Sequence, residues 1–358
     1  MRKSSLVTLV VFILLLVAAI VVFFNKYNIV RTDVNGKQKF RVEEKKGTLK
    51  VLRDFAVKDT ASVDKIFLAD KQNATILLER KDNYWTVNGK YRARRDFIDL
   101  LLETIHRVEV AEPVVETKTE NVLRRISSDG VKVEIYQNGK LAKTYYVGGV
   151  DQGNTGTYML LEGSSQPFVT HIPGFSGFLT TRYNTSIYEW RDRVVFRYNY
   201  SDIAAVSLEY PSQNFQSFRC EKHGDNHFKL FSLPDMQSIP IFDTLAVKSF
   251  MSRFKFVGFE AYLDNTIPKH RRDSVINADM LCKYTVEDKY GNETILKAYP
   301  RPNLLDQFDD EGELYPYDVE RLYGFINNDE DMILLQYYII DPLTKELNHF
   351  LSDDIVKK

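Results

Sequence analysis

Residues 82–110, DNYWTVNGKYRARRDFIDLLLETIHRVEV, change their hydrophobic period partway along. Trp85 and Val87 alternate with polar neighbours, as in a half-buried strand. Phe97, Ile98, Leu101, Leu102, Ile105 and Val108 then recur at i, i+1, i+4, i+5, i+8 and i+11. That spacing makes one apolar stripe on a helix packed over a sheet. The chain repeats the pattern at 225–259, DNHFKLFSLPDMQSIPIFDTLAVKSFMSRFKFVGF. Phe228 and Leu230 take the places of Trp85 and Val87. Ala246, Val247, Phe250, Met251, Phe254 and Val257 take those of the helix stripe. Asp96 and Asp243 stand near the two helix starts, where a carboxylate can cap free backbone N–H groups.

The correspondence continues on both sides. Val63, Ile66 and Leu68 align with Ile203, Val206 and Leu208 in the preceding strands. VKVEIYQNGK (131–140) aligns with CKYTVEDKYGN (282–292), and Tyr158 with Tyr323. A period this long indicates a duplicated domain rather than a solenoid of small units. The predicted class is α+β: two tandem repeats, 52–191 and 192–342, each an antiparallel sheet with one main covering helix. Trp85 and Phe228 are expected at equivalent buried sites. The tail, 343–358, is expected to dock a last strand or to fray.

Ahead of this body, LVTLVVFILLLVAAIVVFF (6–24) contains Thr8 as its only polar side chain. At about 1.5 Å per residue it would span roughly 28 Å, close to a bilayer's hydrocarbon core. No small-residue cleavage site follows, so an uncleaved anchor in the lipid bilayer is expected. Arg2 and Lys3 precede the run, and Lys26, Arg31, Lys37 and Lys39 follow it, so the charge count does not orient it. The usual export arrangement places the N-terminus in the cytoplasm and the body in the periplasm, anchored once in the inner membrane. Residues 26–51, polar and lysine-rich, read as a tether without periodicity.

The 358 residues hold 48 Lys and Arg against 49 Asp and Glu, a net charge of −1. No basic block stands out, so a nucleic-acid partner is not expected. Cys220 and Cys282 fit no metal or redox spacing and are either one disulfide or two buried thiols. The loop Val147–Gly156 is glycine-rich but lacks the Gly-Lys-Ser/Thr of a phosphate loop. It reads as a hairpin loop needing positive φ. His223 and His227 flank a turn, and His106, His171, His270 and His349 have no ligand spacing around them. Asp306, Asp309, Asp310, Glu311 and Glu313, within the loop 306–318, depart from the calcium-loop pattern and read as a solvated acidic loop. Asp59-Thr60-Ala61, Asp243-Thr244-Leu245 and Asp273-Ser274-Val275 match an acceptor triplet of a bacterial O-glycosylation system. No catalytic, cofactor-binding or metal residue is assigned, and no cofactor is expected.

The run KIFLADKQNATILLERKDNYWTVNGKYRARRDFIDLLLETIHRVEV resembles the bacterial domain-of-unknown-function family 4340, in which a strand pair ending in Trp leads through a turn into a helix. The likeness covers residues 55–200 and extends more loosely to the second copy. It implies a membrane-anchored envelope accessory, often beside ABC-type export or gliding-associated systems, and carries over no functional residue. The expected function is non-enzymatic: an extracytoplasmic binding or scaffold protein with envelope or transporter proteins as partners. The alternatives are a ligand-binding accessory of such an exporter, with a cleft between the copies, and an envelope hydrolase.

Overall fold

The computed structural model describes residues 27–34, 37–44, 52–224 and 226–351. These fall into two compact units. One holds the described chain to Ala74 with Leu102–Tyr183; the other holds Thr75–Leu101 with Asn184 onward. The first part of the chain forms β1 (Tyr27–Val34) and β2 (Lys37–Glu44), then β3 (Val63–Ala69), β4 (Thr75–Arg80), β5 (Trp85–Val87) and β6 (Tyr91–Arg92). Next come α1 (Arg95–Arg107), β7 (Glu109–Pro113), α2 (Glu116–Asp129), β8 (Val131–Gln137), β9 (Lys140–Val150), β10 (Thr157–Leu161) and β11 (Phe168–His171). The remainder opens with α3 (Ile187–Trp190), β12 (Val194–Phe196), β13 (Ile203–Glu209), β14 (Phe218–Lys222), β15 (Phe228–Ser232) and β16 (Gln237–Ile239). It continues with α4 (Thr244–Ser252), β17 (Val257–Gly258), β18 (Ala261–Tyr262), α5 (Lys269–Ile276), β19 (Cys282–Asp288), β20 (Glu293–Pro302), β21 (Tyr317–Ile326), β22 (Asp331–Gln336) and α6 (Tyr337–Ile340).

Two nine-stranded antiparallel sheets dominate, ordered β6-β5-β4-β3-β8-β9-β10-β11-β7 and β16-β15-β14-β13-β19-β20-β21-β22-β18. The registers correspond: Ile66 faces Ile135 as Val206 faces Val286, and Tyr158 faces Val169 as Tyr323 faces Leu334. Both sheets also slip at the start of the inner strand, between Val63 and Lys65 and between Ile203 and Ala205. The α+β class with one covering helix per copy is therefore corrected: the described chain is mainly β. End strands of two or three residues are too short to show a period, so the width of the sheets escapes sequence reading.

In the first unit, Val63, Ile66, Leu68, Val133, Ile135, Tyr145 and Val147 are buried at alternate positions. Phe55 meets the Tyr145 and Phe168 rings edge-on at 6.1 and 6.2 Å. Tyr146 and Tyr158 turn the other way, where α2 brings Val122 and Ile126 against them. The second unit repeats this two-sided cover. Val247, Phe250 and Met251 of α4, with Phe254 just after it, pack with Leu208, Phe218, Leu230, Tyr284 and Leu296. On the opposite face Val275 and Ile276 of α5 pack with Tyr299, Tyr323, Phe325 and Met332. Burying one large side chain of this kind contributes roughly 1.5–3 kcal/mol, so these faces supply most of the driving force.

Other expectations change locally. Trp85 is buried, but Phe228 is only half-buried. Phe228 pairs with Lys222, whereas β16 reaches β15 only at Leu230–Ser232, so one flank of Phe228 lies open. Asp243 caps α4, accepting the Leu245 and Ala246 N–H groups, while Asp96 pairs instead with the Arg94 guanidinium. In the described part of the tail, 343–351, no strand is added: Leu347–Phe350 is a 3-10 turn that buries Phe350 against Phe218 (4.8 Å) and Phe250 (5.4 Å). The expected tether contains the antiparallel hairpin β1–β2, from Tyr27 opposite Glu44 to Val34 opposite Lys37. The anchor at 6–24 lies outside the described residues. Among the described residues no helix is long and apolar enough to cross a membrane; the longest, α2, has 14 residues. The single-pass inner-membrane placement, and the periplasmic location derived from it, are corrected accordingly.

The second unit is tied by Trp190-Arg191-Asp192-Arg193. The Arg94 N–H donates to the Trp190 carbonyl, Asp192 N–H to that of Arg92, and Phe259 N–H to that of Arg193. Arg191 is 4% exposed, and its two Nη groups donate to the Asp331 carboxylate at 2.8 and 2.6 Å. The Tyr91 and Tyr262 rings lie 3.9 and 4.2 Å from its guanidinium carbon. Burial works against the charge on Asp331, but Arg191 and the Asn327 amide outweigh it and hold its pKa below the usual carboxylate range. Asp331→Asn should cost about 3 kcal/mol in urea unfolding at neutral pH, because it leaves a buried guanidinium without its counter-charge. A lowered folded pKa means stability that is present above the unfolded value and lost as pH falls. The difference between wild type and Asp331→Asn should therefore shrink below about pH 4.

Candidate functional site

The residues singled out in the sequence do not converge. In the glycine-rich loop the Asp151 carboxylate accepts N–H groups from Gly153, Thr155 and Gly156, at 2.7–3.0 Å. Burial opposes its charge, and these three donors outweigh it and lower its pKa. The amides a phosphate would need are thus spent on the loop itself. The expectation of positive φ also fails for these glycines; only Asn154 (φ 56) takes it in this loop. The glycines serve close packing instead: a Cβ on Gly148 would sit 2.7 Å from Ile126 Cγ1, and one on Gly156 2.4 Å from Val169 Cγ1.

His223 N–H closes the hairpin on the His227 carbonyl at 2.7 Å, and His106 Nδ1 lies 2.8 Å from the Lys58 carbonyl oxygen. His171 stands on β11, His270 accepts the Ser274 hydroxyl at its carbonyl, and His349 packs edge-on against Phe350. Among the described residues no group of three His, Cys, Asp or Glu could hold a metal. Cys220 and Cys282 are free and buried. Burial pushes both thiols up, Cys282 to about 11 and Cys220 further, so neither is a ready thiolate. Of the acceptor triplets, Asp59 accepts the Ser62 N–H, Asp243 caps α4, and Ser274 lies within α5.

The acidic segment between β20 and β21 forms the candidate site: its carboxylates are largely exposed, and its backbone is an organised hairpin. The Asn303 amide donates to the Gln307 and Tyr315 carbonyls at 2.8 and 2.9 Å, and its oxygen accepts the Gln307 N–H at 3.0 Å. Tyr315 N–H donates to Gln307 O and Asp309 N–H to Glu313 O. At the tip Asp309 Oδ1 accepts the N–H groups of Glu311 and Glu313, and Gly312 takes φ +85 where a side chain would be strained. Phe308 and Leu314 bridge across it, and the Arg301–Asp318 ion pair secures its base. This frame holds Leu304, Leu305, Phe308, Leu314, Tyr317 and Val319 between 47% and 59% exposed. Asp306, Asp309, Asp310, Glu311 and Glu313 intersperse them. Large apolar side chains exposed together and rimmed by charge mark an interaction surface.

A surface of opposite charge lies on the same unit. Tyr200, Leu245, Lys248, Ser249 and Ser252 surround a cavity of about 310 Å³ along α4. Leu245 is 75% exposed, and Phe256, 61% exposed, lies 5.0 Å beneath the Arg197 guanidinium. Lys222 sits over the Tyr200 ring at 4.4 Å, and Arg253 follows Ser249 by one helical turn.

No family model, curated protein or solved structure matches this chain. The likeness to family 4340 rests on the quoted residues alone. Sequence reading found the acidic residues of the hairpin but gave no role to the leucines and Phe308 between them. Their signal was present: apolar residues concentrated in a segment carrying turn formers and no strand period.

Gly148→Ala should destabilise the protein by about 1–3 kcal/mol through overpacking against Ile126. Gly153→Ala, where a Cβ would be no closer than 3.1 Å to a side-chain oxygen, should cost less. Urea midpoints of the two variants check the ordering.

Proposed function

We propose that this protein is a non-catalytic binding and scaffold module that works by docking the 303–319 hairpin onto an apolar, basic-rimmed surface. The observation that carries the proposal is the hairpin itself, whose own hydrogen bonds hold six large apolar side chains outward among five carboxylates. Preorganised in this way, it spends little conformational entropy on binding. A surface of the complementary kind is the groove along α4, where the exposed Leu245 lies with Lys248 and Tyr200. The occupant is therefore a second copy of this chain. Hairpin on groove is a head-to-tail contact, which closes into rings or continues as a filament. A contact this small is expected to be weak, with Kd on the order of 10 μM.

Sedimentation of the purified chain should show association that rises with concentration and falls as salt increases from 50 to roughly 500 mM, since charge pairing contributes. Leu305→Asp with Phe308→Ser, or Leu245→Asp alone, should leave a monomer. A mixture of the two variants retains one intact hairpin and one intact groove, and should stop at a 1:1 dimer. A monomeric wild type at about 100 μM, tenfold above that Kd, or a mixture that stays monomeric, would sink the proposal.

A further inference from the structure

We propose that the cavity beside Arg191 is a binding site for a small organic oxyanion, a carboxylate or phosphate monoester carried on a short apolar body. The proposal is independent of the docking hairpin. The cavity measures about 240 Å³ and is lined by Arg92, Arg191 and Arg197 with Asp192 as the one carboxylate, alongside the Tyr91 and Tyr262 rings.

The first observation is an orphan donor. A guanidinium has five N–H groups. Each Nη of Arg191 gives one to Asp331, yet the buried Nε has no partner. Buried charged donors are normally satisfied, because leaving one unmade forfeits its hydration without return. The ion pair with Asp331 explains why Arg191 is buried and why its plane is fixed between two rings. It does not explain the third donor.

The second observation is the charge at the opening. The Arg92 and Arg197 side chains, 43% and 42% exposed, both lean on the Asp192 carboxylate, at 3.7 and 2.5 Å. One carboxylate cannot saturate two forks, so the lining keeps N–H donors for a planar or tetrahedral oxyanion. The neutral polar groups around them are committed elsewhere. The Asn327 amide goes to Asp331, the Thr294 hydroxyl lies 2.6 Å from that of Tyr198, and the Tyr262 hydroxyl donates to the Asp192 carbonyl. The charged donors on offer are guanidinium groups, which select for anions. Asp331, behind Arg191, is already paired.

The third observation is size. At about 30 Å³ per water the cavity has room for roughly eight, more than a bare inorganic anion fills. Val194, Val195 and Ile326 line the rest, a surface suited to a ring or short alkyl body.

The full chain should be titrated by calorimetry and followed by thermal unfolding with phenyl phosphate and with benzoate. Phenol, benzylamine and inorganic phosphate serve as controls at matched ionic strength. At least one aromatic anion should bind and raise Tm by several degrees near a hundredfold excess over Kd, and phenol and benzylamine should not. Whichever binds tighter identifies the headgroup. Arg92→Gln with Arg197→Gln leaves the Asp331 pair intact, so that variant should keep its own Tm within a degree or two while weakening binding at least about tenfold. Binding by neither anion, equal binding in the double variant, or phenol binding as well as benzoate overturns the assignment. Inorganic phosphate binding as tightly as phenyl phosphate removes the organic body from it and likewise overturns it.

Discussion

Arg191 and Asp331 are a buried pair of unlike charges whose desolvation is offset only while both are present and held in register. Their positions reach far into the second unit. Asp331 begins β22, whose ladder with β21 runs from Ile326 opposite Asp331 to Arg321 opposite Gln336. Arg191 sits in a segment whose backbone bonds to Arg92, Arg94 and Phe259. A single electrostatic contact therefore fixes where the 90–94 segment, the β17–β18 region and the β21–β22 hairpin stand within that unit. Asp264 shows what the same surroundings do without a bidentate partner: burial raises its pKa, although Arg272 and the Met332 N–H oppose the rise.

The two sheets share a strand order and elaborate it differently. The first closes the β9–β10 connection with Asp151 accepting three amides, so that loop is turned inward upon itself. The second fills the corresponding β20–β21 connection with a longer hairpin whose polar backbone is satisfied internally and whose apolar side chains point out. Both satisfy the backbone, as any ordered loop must. Only the second leaves apolar surface to spend on a partner.

What was legible in the sequence is what short-range physics controls. The stripes on α1 and α4, the alternation through Ile66 and Val206, and the Asp243 cap depend on neighbours within a few residues, and local spacing reports them. Phe228 was misjudged because its burial depends on how far β16 extends along β15. That is decided by the 233–236 turn and not by β15. The β1–β2 hairpin was hidden by its charge, although Asn35-Gly36 between two alternating stretches is a hairpin signal. Arg191 was invisible because its partner lies 140 residues away, and a lone arginine before Asp-Arg looks like any solvated charge. Gly148 was assigned to turn conformation because its real constraint, Ile126, arrives from another element.

The borders of the sheets carry a further consequence. Three of the four end strands, β6, β16 and β18, span only two or three residues, too little exposed ladder for another chain to extend. The fourth, β7, is five residues long, and it carries Glu109, Glu112 and Pro113. Two carboxylates and a residue with no N–H to donate make a poor template for adding strands. Eighteen of the described strands lie in two broad sheets, an arrangement well equipped to grow into fibrils. In these two sheets the strands at the margins end that growth at each border, so neither broad sheet offers its backbone for extension.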